Sequence, residues 1–296
     1  MKLVLLGSNG QVGAALARAM PAAWQLAALT RADTDLATPG AAAAAIRAHR
    51  PDVVINAAAW TAVDRAEAEP EAARRINAEA VAEIAAATGE GVLIHYSTDY
   101  VFDGTHAAPY TEADTPRPLN VYGATKLAGE AAAAIAPRHY ILRTSSVHAS
   151  GHGNFATTML RLAAKRDSLR VVADQLGAPT SAALIAEVTL TALRHVVQGR
   201  PPDPGLYHLA ARGETSWHGY ARYVLGLARD LGHPLRCDPA AVAPILAADY
   251  PQPARRPANS RLAVEKLEAA LGLTLPPWQE GVRETVTATL ALERAA

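Results

Sequence analysis

Tyr122 and Lys126 stand four residues apart in "NVYGATKLAGE", a spacing that puts both on one face of a helix. A phenol beside an ammonium can move protons: the cation favours the phenolate and pulls a pKa of about 10 towards neutrality. Upstream, "HYSTDYVF" (residues 95–102) carries Thr98, whose hydroxyl can hydrogen-bond a carbonyl oxygen as negative charge grows on it. Hydride reduction of a ketone needs these parts: a donor that holds the carbonyl, an acid that protonates the new alkoxide, and a cation that tunes the acid. Tyr-x-x-x-Lys alone recurs by chance, so the elements that would position it carry the decision.

Those elements alternate. Apolar runs at Leu3–Leu6, Gln25–Leu29, Val53–Ile55, Val92–Tyr96 and His139–Leu142 read as strands. Helical stretches separate them at Gly10–Met20, Ala41–His49, Glu71–Thr88 and Val121–Ile135. Continuous apolar strands joined by helices imply α/β architecture, a doubly wound parallel (Rossmann) sheet covered on both faces. Ligands then gather outside the strands' carboxyl ends, at the loops after residues 6, 29, 55, 96 and 142. The rhythm loosens after residue 143, where Gly- and Pro-rich loops separate helices at Phe155–Lys165 and Leu184–Val197. The expected division is a dinucleotide-binding domain over 1–143 and a smaller, partly interleaved substrate region over 144–296.

"LVLLGSNGQVG" sets Gly7, Gly10 and Gly13 between the first strand and a helix, where a dinucleotide pyrophosphate docks on helix N–H groups. The spacing is G-x-x-G-x-x-G, a variant of the commoner G-x-G-x-x-G. At the tip of the second strand, Thr30 and Arg31 stand where an acidic residue would favour NAD(H). A cation there accommodates a 2′-phosphate and points to NADPH, while Asp33 and Asp35 keep NADH open.

Composition bounds the rest. The 28 basic and 28 acidic residues cancel, which leaves no electrostatic footprint for nucleic acid or an anionic membrane. One cysteine, Cys237, allows no intrachain disulfide and suits a reducing cytoplasm. No apolar run is long enough for a membrane span. His148 and His152 lack a third ligand at metal spacing and read as a solvated loop, so no metal is expected. His95 reads as packed in its strand, and "DRAEAEPEAA" as a solvated helix start. Arg255 and Arg256 are a pair that could clamp a pyrophosphate or form a solvated basic turn.

Long segments resemble the extended short-chain dehydrogenase/reductases: "GSNGQVG", "RPDVVINAAAWTAVDRAEAEP", "HYSTDYVFDGT", "PLNVYGATKLAGE", "RTSSVHASGHGNFATTMLRLA", "DQLGAPT", "GLYHLA" and "RPANSRL". They are most similar to the branch that reduces the 4-keto group of dTDP-4-dehydro-6-deoxy-L-mannose to give dTDP-L-rhamnose. The resemblance implies Tyr122 as proton donor, Lys126 as its partner and Thr98 as carbonyl holder. It implies cofactor contacts at Gly7, Asn9, Gly10, Gln11, Val12, Asp35, Leu36, Ala59, Trp60, Thr61, Tyr96, Tyr122 and Lys126, and substrate contacts at Thr98 and Asp99. Two departures stand out. "RTSSVH" puts Ser146 where the family often has an aromatic wall of the sugar pocket. Ala15 and Ala183 replace glutamates that bridge a dimer through Mg²⁺ in relatives, which argues against a metal-bridged dimer but leaves a homodimer open. Related 4,6-dehydratases carry "TDE" where this chain has Thr98-Asp99-Tyr100, so the elimination acid/base pair is incomplete. Another 4-keto-6-deoxysugar, or a non-catalytic regulatory role like that of a methionine adenosyltransferase partner, are the alternatives; the intact catalytic set speaks against the second.

Overall fold

The computed structural model describes residues 1–295. The first half alternates as its pattern dictates: β1 (Lys2–Leu6), α1 (Gln11–Ala19), β2 (Gln25–Leu29), α2 (Ala41–His49), β3 (Val53–Asn56), α3 (Val63–Ala68), α4 (Pro70–Arg74), α5 (Ala80–Thr88), β4 (Val92–Thr98), α6 (Val121–Ala133) and β5 (Arg138–Thr144). The second half adds short pairings, β6 (Val147–His148) with β9 (Thr180–Ser181), β8 (Leu176–Gly177) with β11 (Thr215–Ser216), and β7 (Leu169–Val172) with β12 (Val242–Ile245). Helices α7 (Phe155–Ala163), α8 (Ala182–Val197), α9 (Trp217–Asp230), α10 (Glu265–Leu271) and α11 (Trp278–Ala295) surround them.

The main sheet has the order β10-β5-β4-β3-β1-β2, with β10 (Gly205–His208) supplied by the second half, and every pairing in it is parallel. The chain leaves β1 in one direction to β2 and returns to β3 on the other side. A crevice therefore opens beyond the carboxyl ends of β1 and β3, the switch point at which doubly wound sheets bind ligands.

Burial on both faces explains the unbroken apolar strands. Leu3, Leu5, Val53, Ile55 and Ile94 point to the layer of α1 and α8, while Val4, Leu6, Val54 and Leu93 meet α2 and α5. A separate core of Met159, Leu160, Tyr220, Val224, Trp278 and Val286 holds the second half.

Several expected boundaries move. Strands β4 and β5 run on to Thr98 and Thr144, because their ladder continues through Thr98 opposite Thr144. The helix expected over Glu71–Thr88 is α4, a π-helical turn at Arg75–Glu79, and α5. Helix α8 begins at Ala182, two residues early, because Ser181 caps it by accepting from the Leu184 amide at 3.1 Å.

Candidate active site

The glycine turn is built by close approach. Gly7 has φ +76°, and its amide and that of Ser8 both donate to the Leu29 carbonyl, tying the turn to β2. A Cβ on Gly13 would lie 2.1 Å from the Gly7 oxygen, and one on Gly7 would lie 2.8 Å from the Ala58 backbone beyond β3. Gly10 caps α1 with no side-chain hydrogen bond, so no side chain covers its first amides. Bare amides at a helix start, at the switch point, fit a pyrophosphate.

The expected cofactor residues arrange themselves around this turn. Asn9 is exposed at the rim and Gln11 faces the catalytic cleft, its Oε1 accepting from Asn154 at 3.1 Å. Val12 and Leu36 pack into the core. Thr30 donates through its amide and hydroxyl to Asp33, closing the turn after β2. Arg31 is exposed, and its Nε lies 3.2 Å from Asp35. Ala59, Trp60 and Thr61 follow β3, and Asn77 fixes them: its Oδ1 accepts from the Trp60 amide at 2.8 Å and its Nδ2 donates to the Trp60 carbonyl at 3.1 Å. Asn77 lies in the π-helical turn, an irregularity frequent at functional sites. Nothing in its local sequence marks it.

Helix α6 carries Tyr122 and Lys126, and its start is fixed at several points. Asn120 caps it by accepting from the Gly123 amide at 2.8 Å, and Glu67 accepts from the Val121 amide at 2.8 Å. A Cβ on Gly123 or Gly129 would fall 2.1 Å from the carbonyl oxygen of Tyr100 or Asn77, so both glycines allow backbone contact. Ala124, between them in sequence, faces solvent.

Thr98 and Tyr122 line the same cleft. Thr98 also donates to Asp99 Oδ1 at 3.0 Å and accepts from the Tyr100 amide. The electrostatics correct one expectation. Burial pushes Tyr122 up to about 12, with the Asp99 charge adding and the Thr98 hydroxyl opposing. Lys126 does not reverse this, because its bonds go to β4: Nζ donates to the Tyr96 carbonyl at 2.6 Å and lies 3.4 Å from His95 Nε2. Burial lowers Lys126 to about 8 against the favourable charge of Glu130. Asp99, held by Ser145, Thr98 and Ser260, is raised by burial to about 6.

A cleft of about 330 Å³ joins Gln11, Thr61, Thr98, Asp99, Tyr122 and Ser146. It is completed by Phe155, Trp217 and Tyr220, three packed rings with centroids 4.7 to 6.3 Å apart. Ser146 brings no ring to the wall, and Trp217 borders the same cavity from α9. Sequence spacing gave no sign of Trp217, because the fold brings it from a distant segment.

Four further readings are revised. Tyr96 turns its side chain into the core, with its hydroxyl 2.7 Å from Thr189, so only its carbonyl serves the site. Arg256 makes two 2.7 Å bonds to Asp64, and Arg255 is exposed with its carbonyl accepting from Asn120 at 2.7 Å; neither lines the cleft. His148 is buried and bonded to Thr285 at 2.9 Å, so it belongs to no solvated loop. The acidic run is likewise partly engaged, through Asp64 and Glu67.

Comparison with known proteins agrees with this geometry. The family model of the RmlD substrate binding domain matches residues 1–291. The chain belongs to this family. It is 48% identical to a dTDP-4-dehydrorhamnose reductase of Escherichia coli K12 over 96% of both chains. It is 46% identical to that of Sinorhizobium fredii over 98% of both. The solved dTDP-4-dehydrorhamnose reductase of Bacillus anthracis, in complex with NADP, superposes with a TM-score of 0.87 at 30% identity, covering 97% of this chain and 98% of that one. In this member of the RmlD family, Ala15 and Ala183 border a groove of about 530 Å³ with Arg18, Glu187, Arg194 and Glu284. Among the described residues no group of three or more His, Cys, Asp or Glu could hold a metal ion, and no helix is long and apolar enough to cross a membrane.

Proposed function

We infer that this chain is a dTDP-4-dehydrorhamnose reductase, which reduces the 4-keto group of dTDP-4-dehydro-6-deoxy-L-mannose to dTDP-L-rhamnose with NADPH, NADH being the alternative reductant. The observation that carries it is that Thr98, Tyr122 and Gln11, the first residue of the helix after the glycine turn, line one cleft, in a chain 48% identical to such a reductase over 96% of both chains.

The nicotinamide cofactor, when bound, supplies the hydride to C4. Gly7, Gly10 and the first amides of α1 would hold its pyrophosphate, and Arg31 and Thr30 would meet the adenosine ribose. Thr98 turns its single hydroxyl proton from Asp99 to the sugar's carbonyl oxygen, and Tyr122 delivers the proton as charge appears there. A phenol held near 12 stays protonated until the oxygen becomes basic enough to take its proton. Until substrate arrives Asp99 accepts the Thr98 proton in a hydrogen bond, while the Tyr100 amide, which donates to the Thr98 oxygen, holds the hydroxyl in place. Arg255 and Arg256 are assigned to the rim, with Arg256 stabilising the loop over Asp64.

The test supplies the 4-keto sugar, generated in place by an upstream epimerase, and follows NADPH absorbance. Stoichiometric oxidation supports the reading, and none with pure protein overturns it. Ser146 favours a second reading, a different nucleotide 4-keto-6-deoxysugar, which an epimeric substrate tried in the same assay distinguishes by a higher kcat/KM. The cytoplasm is the assigned compartment, consistent with the lone buried Cys237. A homodimer would use the groove beside Ala15 and Ala183 without a bridging metal, and sedimentation with and without chelator reads its mass.

A further inference from the structure

Behind Lys126 lies a second, fully buried polar array that the reaction as described does not use. Asn56 ends β3, His95 is its register partner on β4, and Lys126 reaches them from α6. Their exposures are 1%, 1% and 2%. Asn56 Oδ1 accepts from the Ala58 amide at 3.2 Å, which leaves Nδ2 facing His95 Nδ1 at 3.1 Å. An amide donor makes Nδ1 the acceptor, so a neutral imidazole carries its proton on Nε2. Burial first, and the Lys126 charge second, keep His95 neutral.

Nε2–H then points at Lys126 Nζ, 3.4 Å away. An ammonium at that place sets donor against donor. A neutral amine accepts from Nε2–H and still donates to the Tyr96 carbonyl at 2.6 Å. The other groups around Lys126 do not remove this conflict. Glu130, one turn along α6, is claimed by two bonds from Arg143 of β5 and one from Ser97 of β4. Tyr122, one turn back, is a neutral phenol whose charged neighbour is Asp99.

We propose that Asn56 and His95 are positioning residues of this reduction: by presenting Nε2–H to Lys126 they fix where its amine gains and loses its proton, and hence when a cation stands beside Tyr122. The proposal rests on the reductase reading, but its first test is independent of turnover. In ¹⁵N-labelled wild-type protein, two-bond ¹H–¹⁵N correlations, with His95 assigned by its loss in His95→Gln, should show the Nε2–H tautomer near neutral pH. The Nδ1–H tautomer or an imidazolium overturns the proposal. Asn56→Asp keeps an acceptor for Ala58 but draws the proton to Nδ1, turning an Nε2 lone pair towards the ammonium. The basic limb of its kcat/KM profile should move up by at least one pH unit, a tenfold gain in proton affinity. His95→Gln, whose amide oxygen can accept from the ammonium, should move it the same way. An unmoved limb in both variants, with NADPH affinity retained, overturns the proposal. A wild type that turns over no 4-keto sugar sinks the reductase reading instead, and the tautomer measurement still stands.

Discussion

Lys126 Nζ donates to the main-chain carbonyl of Tyr96 at 2.6 Å, two residues before Thr98 on the same strand. The helix fixes Tyr122 relative to Lys126, and this bond fixes Lys126 relative to the strand that carries Thr98. Thr98 and Tyr122 therefore reach one cleft from two elements whose register is set one layer below them, in a region closed to water. Gly129 lets this happen, since any side chain there would strike the Asn77 carbonyl and lift α6 away from its neighbours.

Tyr122→Phe should lower kcat by roughly a hundred- to ten-thousand-fold, the range expected for loss of a general acid, while the Kd for NADPH changes little. The phenol hydroxyl is the only atom removed, and its work is done in the transition state. Single-turnover kinetics beside a fluorescence titration of cofactor separate the two quantities. Activity within a few fold of wild type would remove Tyr122 from the role of acid.

The fold and much of the site were legible because each rests on a local pattern. Unbroken apolar strands announce a sheet covered on both faces, and the glycine turn and Tyr-x-x-x-Lys are short motifs whose spacing carries their geometry. The family resemblance rests on long segments of this kind, and the family match spans residues 1–291. What escaped depends on distant partners. Asn77 acts only because a π-helical turn aims it at Trp60. Trp217 enters the cleft from α9, and His148 finds Thr285 on α11. The Arg255–Arg256 pair reads from sequence as a phosphate clamp or a solvated turn because Asp64, Arg256's partner, is far from it in sequence and close only in space. The direction of the Tyr122 shift was also missed, since i, i+4 spacing reports proximity on a helix but neither burial nor where a lysine's bonds go.

Asp99 should make stability fall as pH rises through the mildly acidic range. Its folded pKa of about 6 lies above its ordinary value of 3.8 because burial penalises the carboxylate. The native state then holds the proton more tightly than the unfolded chain, so the cost is absent below the ordinary value and complete above about 6. That cost is at most roughly 3 kcal/mol. Asp99→Asn should be more stable than wild type in urea at pH 7, with the gap closing by pH 4, while activity falls. Equal midpoints at pH 7 would contradict the assignment.

The Glu130–Arg143 pair should behave as a buried ion pair. Arg143 makes bonds of 2.8 and 2.7 Å to the carboxylate, Ser97 adds a third, and both side chains are almost wholly buried. Glu130→Gln or Arg143→Met alone strands a charge and should cost about 3–5 kcal/mol. The double variant should cost less than the sum of the singles, because no charge is left unpaired. Urea denaturation of all four proteins closes the cycle, and strict additivity would show that the pair is not coupled.

Arg31 should set the choice of cofactor. It is exposed and tied to Asp35 by one contact at 3.2 Å, a surface pair worth about 0–1 kcal/mol, so its guanidinium can turn to a 2′-phosphate at little cost. Neighbouring Thr30 is already committed to Asp33, which leaves Arg31 as the strand-tip residue free to meet that phosphate. Arg31→Ser should lower kcat/KM for NADPH about tenfold or more and leave that for NADH within a factor of two to three, with stability changed by no more than about 0.5 kcal/mol. Initial rates with each cofactor at subsaturating concentration give the ratio directly. A ratio unchanged by the substitution would move recognition of the ribose to Thr30 or to the turn's own amides.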